Sequence, residues 1–350
     1  MRKNFKEDKH MKKASFVLLA ALIFGLGSAS LQAQGKFDGY MVPEYYMYLS
    51  SSNKDLEGSH GLWFRRIYFT YNNAVTDGIS MRFRLEMNSP GNFTSTSALT
   101  PYVKDAYLRF KLAGQTVSVG LQGPPTYEQV ESVWGHRPLE KTPLDHFGLR
   151  SSRDMGVSIA GNLDEKKTIG YTMMYGIGNA GGETNKGKML YGALSFKPVK
   201  GMFIEFYGDY EKQTEDRTFY VYQGFVSYSG DFGRFGFLYA NKNQDIAGAT
   251  RDYGMVSGFA VIKGGEKLEI IGRYDKCIGD GWEKGFSGGR AYFPFPNNVK
   301  TNYIIAGVSY LAAKNVWIIP NIKYAFFDKP ENRDAPDAHM WANFTLYFKF

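Results

Sequence analysis

The chain has 350 residues, 43% of them hydrophobic and 16% aromatic, and its formal net charge is +8 at pH 7. This length and apolar content exclude a disordered chain, and the single cysteine, Cys277, excludes an internal disulfide framework. No paired cysteine and histidine spacing indicates a structural zinc site. The 25 Tyr, 27 Phe and 40 Gly favour strands and turns over helices.

Residues 1–33 have the pattern of a cleaved secretory signal peptide. A basic segment is followed by an apolar run from Ala14 to Gly27 and by a small, polar stretch that ends at Ala33, where cleavage is expected. The apolar run is short for a membrane-spanning helix, which needs about 20 residues. Because the segment holds six Lys or Arg and two Asp or Glu, half of the net charge would leave with it. The basic balance therefore gives no support for a nucleic-acid partner.

After residue 33, apolar and polar residues alternate as they do in strands. In the segment from Met81 to Met87, Phe83 and Leu85 share one face, while Arg84 and Glu86 share the other. No later stretch has a convincing helical period. Sixteen candidate strands follow the alternating pattern: 37–50, 60–73, 77–90, 101–112, 115–122, 154–162, 167–176, 188–197, 201–212, 217–229, 232–242, 251–263, 266–275, 301–312, 315–326 and 338–350.

The connections between these strands alternate in length. Short ones lie at 74–76, 113–114, 163–166, 198–200, 230–231, 264–265 and 313–314. The others are mostly long: 51–59, 91–100, 123–153, 177–187, 213–216, 243–250, 276–300 and 327–337. A β-sandwich gives no reason for this alternation, whereas outer-membrane barrels have short periplasmic turns and long extracellular loops. The sequence thus predicts an all-β fold in which residues 34–350 form one transmembrane antiparallel β-barrel of about 16 strands.

The last strand gives an independent indication of an outer-membrane barrel. Apolar side chains occupy alternate positions up to the final residue: Met340, Ala342, Phe344, Leu346, Phe348 and Phe350. This ending resembles the signal that the barrel assembly machinery recognises, so we expect that machinery to be a partner during biogenesis.

The longest predicted loop, 123–153, combines many charges with apolar side chains at Trp134, Leu139, Leu144 and Phe147. A solvated extracellular loop would not need so many apolar anchors. We therefore expect this loop to fold inward as a constriction loop and narrow the pore. It would present the cations Arg137, Lys141, Arg150 and Arg153 against the carboxylates Glu128, Glu131, Glu140 and Asp145.

Basic residues in the second, third and fourth strands share one parity and are predicted to line the lumen: Arg66, Arg82, Arg84, Arg109 and Lys111. Such a stripe would favour the passage of anions. The alternative is that Glu86 and Asp105 pair with these cations and leave only a polar lining, and the sequence leaves both interpretations open.

Arg65 has the opposite parity and shares it with Trp63, Ile67 and Phe69, which would direct its side chain at lipid. In mid-membrane this would cost about 2–4 kcal/mol. The expected position of Arg65 is therefore the outer interface or a β-bulge.

Three segments between residues 60 and 165 resemble the phosphate-selective porin O and P family. They are Asp105-Ala-Tyr-Leu-Arg-Phe, Val117-Ser-Val-Gly-Leu-Gln-Gly-Pro-Pro and Ser151-Ser-Arg-Asp-Met-Gly-Val-Ser-Ile-Ala-Gly. The resemblance implies a sixteen-stranded, commonly trimeric outer-membrane barrel in which lumenal Arg and Lys residues conduct anions.

These observations predict a non-enzymatic porin in the outer membrane of a Gram-negative bacterium. Small hydrophilic solutes or ions would diffuse through it passively, anions or phosphate being the preferred class, with no cofactor, metal or catalytic residue. The partners expected are these solutes, membrane lipid and further copies in a homotrimer. One alternative is a barrel hydrolase of the lipase or protease type, with His136 and His146 near serines of the long loop. Another is an adhesin barrel that uses the 276–300 loop.

Overall fold

The computed structural model describes residues 35–91, 99–178, 187–286 and 294–350. The predicted signal peptide, residues 1–33, lies outside the described residues and stays a prediction. Residues 35–350 build one closed antiparallel barrel in which each strand pairs with its neighbours in the chain and the first pairs with the last. The strands are β1 (Lys36–Ser50), β2 (His60–Thr76), β3 (Ile79–Met87), β4 (Tyr102–Leu112), β5 (Gln115–Gln122), β6 (Asp154–Asn162), β7 (Ile169–Gly176), β8 (Lys188–Phe196), β9 (Met202–Thr214), β10 (Arg217–Gly230), β11 (Gly233–Ile246), β12 (Ala249–Lys263), β13 (Leu268–Ile278), β14 (Thr301–Ala313), β15 (Val316–Phe327) and β16 (His339–Lys349).

The prediction of sixteen strands is confirmed, and no strand end differs from its predicted position by more than four residues. Short turns lie on one rim, and several of them contain residues with a left-handed backbone. In the β4–β5 turn, for instance, Ala113 has a φ of 48° and Gly114 a φ of 80°, which is the geometry of a tight hairpin. The opposite rim carries the long loops, except that 215–216 and 247–248 are also two-residue turns.

The alternation of side chains along each strand separates an apolar outer face from a polar inner face. In β9, Phe206 is 59% exposed and Tyr210 is also exposed on the outer face, whereas Glu205, Tyr207 and Asp209 are buried on the inner face. The outer aromatic side chains suit lipid, and the inner polar groups suit a lumen that contains water. The predicted transmembrane antiparallel barrel is therefore confirmed as the fold class.

A β-bulge in β2 reverses the predicted orientation of Arg65. In the β1–β2 ladder Val42 pairs with Arg66 and Pro43 with Phe64, so Arg65 is the unpaired extra residue. Arg65 and Arg66 consequently both face the interior, where each is buried. The parity argument that directed Arg65 at lipid was wrong, and the bulge that it offered as an alternative is confirmed.

Three short helices lie in the described parts of the long loops, although the sequence showed no helical period. They are α1 (Glu128–Trp134), α2 (Pro143–His146) and α3 (Gly281–Lys284), and a 3₁₀ turn spans Lys54–Leu56. The longest, α1, has two turns and ends at Gly135, whose φ of 68° suits glycine. Two turns are too few for a periodic pattern to stand out. Among the described residues, no helix has the length and apolar content that crossing a bilayer would require.

Gly120 lies near the end of β5, just before the longest loop, at a point where β5 closely approaches β4. Its φ is 129°, and a methyl group there would overlap the carbonyl oxygen of Ala106 in β4. We predict that Gly120→Ala lowers the free energy of unfolding by about 1–3 kcal/mol because that backbone is strained for any other residue. The measurement is chemical unfolding of the folded barrel in vesicles, followed by tryptophan fluorescence.

Gly224→Ala in β10 is the matched control, since a methyl group there meets nothing within 4 Å. Its unfolding free energy should stay within about 0.5 kcal/mol of the wild type. Equal stability of the two variants would contradict the strain assigned to Gly120.

Candidate functional site

Residues 123–153, called the inward loop below, lie inside the barrel. The apolar side chains that the sequence singled out, Trp134, Leu139, Leu144 and Phe147, are each at most 1% exposed. The Trp134 ring packs edge-on against Phe259 of β12, with ring centroids 5.2 Å apart. These side chains occupy a space that the strands alone would leave open, because sixteen strands enclose more volume than their own side chains fill.

The inward loop is held at its middle by a buried cluster of charges around Glu140. Lys323 Nζ of β15 lies 3.1 Å from Glu140 Oε2, and the Tyr303 hydroxyl of β14 donates to the same oxygen at 3.0 Å. Arg65 Nη2 of β2 lies 3.6 Å from Glu140 Oε1, and His146 Nδ1 lies 3.3 Å from it. One loop carboxylate thus connects three separate strands of the wall.

Arg65 connects the loop backbone to a second carboxylate of the wall. Its Nη1 donates to the carbonyl oxygens of Pro138, at 2.9 Å, and Leu139. The same nitrogen lies 3.2 Å from Glu44 Oε2 of β1. The β-bulge therefore turns Arg65 into a link between the wall and the loop.

The electrostatics of this cluster keep Glu140 ionised although it is buried. Burial by itself would raise the pKa of the Glu140 carboxyl, but the positive charges of Lys323 and Arg65 offset that effect and hold the pKa well below its usual range. Removing one partner from such a buried group costs about 3–5 kcal/mol, because the remaining charge is left uncompensated.

The C-terminal part of the inward loop is held by Arg150. Its Nε lies 2.8 Å from Asp209 Oδ2, and its Nη1 lies 2.7 Å from Glu211 Oε2, both carboxylates being on β9. The Tyr127 hydroxyl at the start of the loop donates to the Arg150 carbonyl oxygen at 2.5 Å. Both ends of the loop therefore depend on the same wall contact.

Other predicted loop charges are divided between the loop and the wall. Arg137 pairs within the loop, with Glu131 Oε2 at 3.1 Å and Asp145 Oδ2 at 2.9 Å. Burial alone would raise the pKa of the Asp145 carboxyl, but the positive charges of Arg137 and Lys141 hold it below its usual value. Arg153 instead pairs with Asp105 of β4. Arg137 therefore meets the expectation that the loop cations face the loop carboxylates, whereas Arg150 and Arg153 pair with carboxylates of the wall.

The remaining predicted charges of the loop are Lys141 and Glu128. The positive charge of Lys141 helps to lower the pKa of Asp145, and the carbonyl oxygen of Lys141 accepts a hydrogen bond from Arg273 Nη1 of β13 at 2.6 Å. Glu128, at the first position of α1, is exposed, and no cation lies within ion-pair distance of it among the described residues.

The predicted basic stripe separates into paired and unpaired cations. Arg66 Nε lies 2.9 Å from Glu86 Oε1, and Arg84 Nη1 lies 3.2 Å from Asp105 Oδ2. These two arginines follow the interpretation in which carboxylates neutralise the stripe. Lys104, which the sequence argument passed over, adds a second cation 2.9 Å from Glu86 Oε2.

Arg82 and Arg109 are the two arginines of the stripe without a carboxylate partner in the described part of the chain. Arg82 Nε donates to the Asn72 side-chain oxygen at 2.8 Å, and Arg109 Nε to the Ser118 hydroxyl at 3.2 Å. Their guanidinium groups lie over the Tyr107 ring, 6.0 and 5.2 Å from its centroid. Lys111, the last predicted member, is exposed next to the short 113–114 turn.

A cavity of about 500 Å³, called the open lumen below, separates the inward loop from the wall that carries Arg82 and Arg109. Most of the loop's contacts with the wall, as described above, are with β9–β15 and with β1 and β2, whereas the strand residues that line the cavity come mainly from β3–β7. Hydroxyl groups of the wall complete a polar surface. Lining residues on the strands include Tyr40, Arg82, Tyr107, Arg109, Thr116, Ser118, Ser158, Thr172 and Tyr347.

The two histidines considered for a hydrolytic site, His136 and His146, have partners other than the loop serines. His146 stacks on Tyr303, with ring centroids 4.8 Å apart, and His136 Nε2 lies 3.0 Å from Glu269 Oε2. Ser52 Oγ lies 2.6 Å from His339 Nε2 at the rim of the long loops, but no carboxylate in the described ranges hydrogen-bonds the other nitrogen of that ring. Phe295 of the 276–300 loop is buried against His146.

No protein-family model and no curated protein matches the chain. Solved structures do match. The anion-selective porin from Comamonas acidovorans has a TM-score of 0.68 at 10% identity, over 91% of this chain and 100% of that one. Salmonella typhi OmpF in complex with daunomycin has a TM-score of 0.66 at 14% identity, over 91% and 98%. The outer-membrane channel DcaP of Acinetobacter baumannii has a TM-score of 0.65 at 10% identity, over 93% and 99%.

At these identities the likeness shows the fold, which is the sixteen-strand barrel found in porins. The narrower resemblance to the phosphate-selective porin O and P family is not confirmed by these comparisons.

The buried histidine of the Glu140 cluster predicts a loop that loosens in acid. Burial lowers the pKa of His146 below its usual value of 6.5, although Glu140 opposes this, and Arg273 and Asp275 are the other charged groups that face it. Below about pH 6.5 the unfolded loop takes up a proton that the folded loop does not, so stability falls as pH falls. We predict faster hydrogen exchange of the 128–146 amides at pH 5 than at pH 7, after correction for intrinsic exchange rates.

His146→Phe keeps a ring against Tyr303 and removes the titrating group, so it should flatten this pH dependence. His136, whose pKa burial also lowers, accounts for the part that remains. His60→Gln, which removes an exposed imidazole, serves as the control and should behave like the wild type. An unchanged pH dependence in His146→Phe would contradict the assignment.

Proposed function

We propose that this protein is an outer-membrane porin through which small hydrophilic solutes and ions diffuse passively, with a preference for anions. The observation that carries the proposal is the pair Arg82 and Arg109, two uncompensated cations on the wall of the open lumen. A positive surface on a narrow polar passage raises the local concentration of anions and lowers the energy of their transfer.

The balance of charge around the open lumen supports an anion preference. Arg137 and Arg153 also border it, but each has carboxylate partners, as described above. Glu128 is the one bordering carboxylate without a cation near it among the described residues. Two free positive charges therefore face one free negative charge.

The inward loop supports a passage of fixed width. A loop held by Glu140 and Arg150 to opposite parts of the wall has little freedom to leave the lumen. Where the lumen has a fixed, narrow width, the residues that line it set the ion selectivity, because an ion passing there lies within a few ångströms of both walls. At about 4 Å and an effective dielectric constant near 20, two unit charges interact by about 4 kcal/mol.

Three finer statements belong to the same proposal. The sequence resemblance supports phosphate as one of the anions, and the neighbour from Comamonas acidovorans, described as an anion-selective porin, supports the wider class. Assembly as a homotrimer is supported by one Vibrio cholerae OmpT structure described as a trimer form. Residues 1–33 would direct export to the outer membrane of a Gram-negative bacterium, with the barrel assembly machinery as a transient partner.

The experiment is ion selectivity in a planar bilayer under a KCl gradient. The double variant Arg82→Gln, Arg109→Gln should lower the chloride-to-potassium permeability ratio severalfold, because it removes both free positive charges from the passage. The reversal potential reports the ratio directly. Phosphate added to one side should reduce the chloride current of the wild type more than that of the double variant.

The matched control, Lys166→Gln with Lys200→Gln, removes the same charge from exposed positions in the short turns. It should leave the reversal potential unchanged. If the double arginine variant conducts with the selectivity of the wild type, these two residues are outside the conduction path and the anion preference proposed here is wrong.

A further inference from the structure

Glu205 of β9 is a buried carboxylate that takes part in none of the contacts described above. The residue is 2% exposed, and its Oε1 is buried without a hydrogen-bond partner. In the described part of the chain no cation lies within ion-pair distance of it. An ionised carboxylate in that position costs several kcal/mol unless a positive charge meets it.

A second carboxylate borders the same small space. A cavity of about 30 Å³ lies between the first turn of α1 and strands β7–β9, and both Glu205 and Glu128 line it. Its volume corresponds to about one water molecule or one metal ion. Glu128, which likewise has no cation near it among the described residues, brings a second negative charge to one wall.

The remaining lining supplies neutral oxygen atoms. Ser195 of β8 lies directly opposite Glu205 in the strand register, and Thr172 of β7 and Gln129 of α1 complete the polar surroundings. The Ser195 hydroxyl donates to the Gly170 carbonyl oxygen at 3.4 Å, so the lone pairs of its oxygen remain available. Two carboxylates with hydroxyl and amide oxygens form the kind of ligand set that hard divalent cations prefer.

We propose that this cavity binds one divalent cation of the calcium type between the inward loop and the barrel wall. Calcium suits the site better than magnesium, because it accepts an irregular set of oxygen ligands, whereas magnesium demands near-octahedral geometry. No His or Cys lines the cavity, so a metal that prefers thiolate or imidazole ligands has none here. Since no group of three or more His, Cys, Asp and Glu in the described ranges could hold a metal, the ion would depend on two carboxylates and neutral oxygen atoms. The ion would link α1 to β9.

The cation has a route to the site. Glu128, Pro125 and Thr172 line both the small cavity and the open lumen. An ion in the lumen therefore reaches Glu128 first and Glu205 behind it. The exposed carboxylate would capture the ion and the buried one would hold it.

The test is equilibrium dialysis of chelator-treated, lipopolysaccharide-free protein in detergent against radioactive calcium chloride. The wild type should bind one ion per chain, and Glu205→Gln, which keeps the shape of the side chain, should lose about 10–100-fold in affinity. Glu131→Gln is the matched control: it removes the same charge from α1, three residues beyond Glu128, where the carboxylate already pairs with Arg137. The control should bind like the wild type.

Ser195→Ala keeps the assay decisive if Glu205→Gln does not fold, because it removes one neutral ligand and no charge. It should weaken binding by a smaller factor, about threefold to tenfold. Wild-type affinity in Glu205→Gln would overturn the proposal, since the ion would then sit elsewhere. No binding to the wild type would also overturn it and would indicate that the two carboxylates share a proton instead. Because dialysis measures no current, either result is independent of the proposed porin activity.

Discussion

The interior of this barrel depends on the contacts of one ionised side chain, Glu140. It is buried among Lys323, Arg65, His146 and the Tyr303 hydroxyl. A sixteen-strand barrel encloses more space than its own side chains fill, so a segment of chain must enter or the lumen stays wide. The polar atoms of such a segment need partners once they leave water. Two cations and one hydroxyl group, supplied by three strands, meet that need at a single loop carboxylate.

The distribution of wall charges also decides where the open space lies. Carboxylates and cations that face the loop are concentrated from β9 to β15, and Arg150 pairs with Asp209 and Glu211 there. The β3 and β4 arginines are partly neutralised by their neighbours, and Arg82 and Arg109 are left free at the edge of the open lumen. The arrangement of wall charges that holds the inward loop therefore also leaves a positive surface along the open lumen.

The sequence predicted the wall of the barrel far better than its interior. Alternation and turn residues act locally, so sixteen strands could be located from the chain alone. The lipid-facing parity of Arg65 suggested either the outer interface or a bulge, but the sequence could not decide between them, because the extra residue of a bulge leaves no local pattern of its own. Glu205, Asp209 and Lys323 could be assigned to the inner face by parity, but their partners, or the lack of them, depend on how the loop crosses the lumen.

The dependence of the passage on the inward loop is tested most directly by single-channel conductance after the loop is removed. Residues 126–150 would be replaced by a short Gly-Ser linker, and a folded barrel would be verified before recording. Because the loop fills the β9–β15 side of the lumen, the account predicts a conductance several times that of the wild type and a weaker dependence of the current on Arg82 and Arg109. An unchanged conductance in the correctly folded variant would contradict it, since the narrowing would then lie elsewhere.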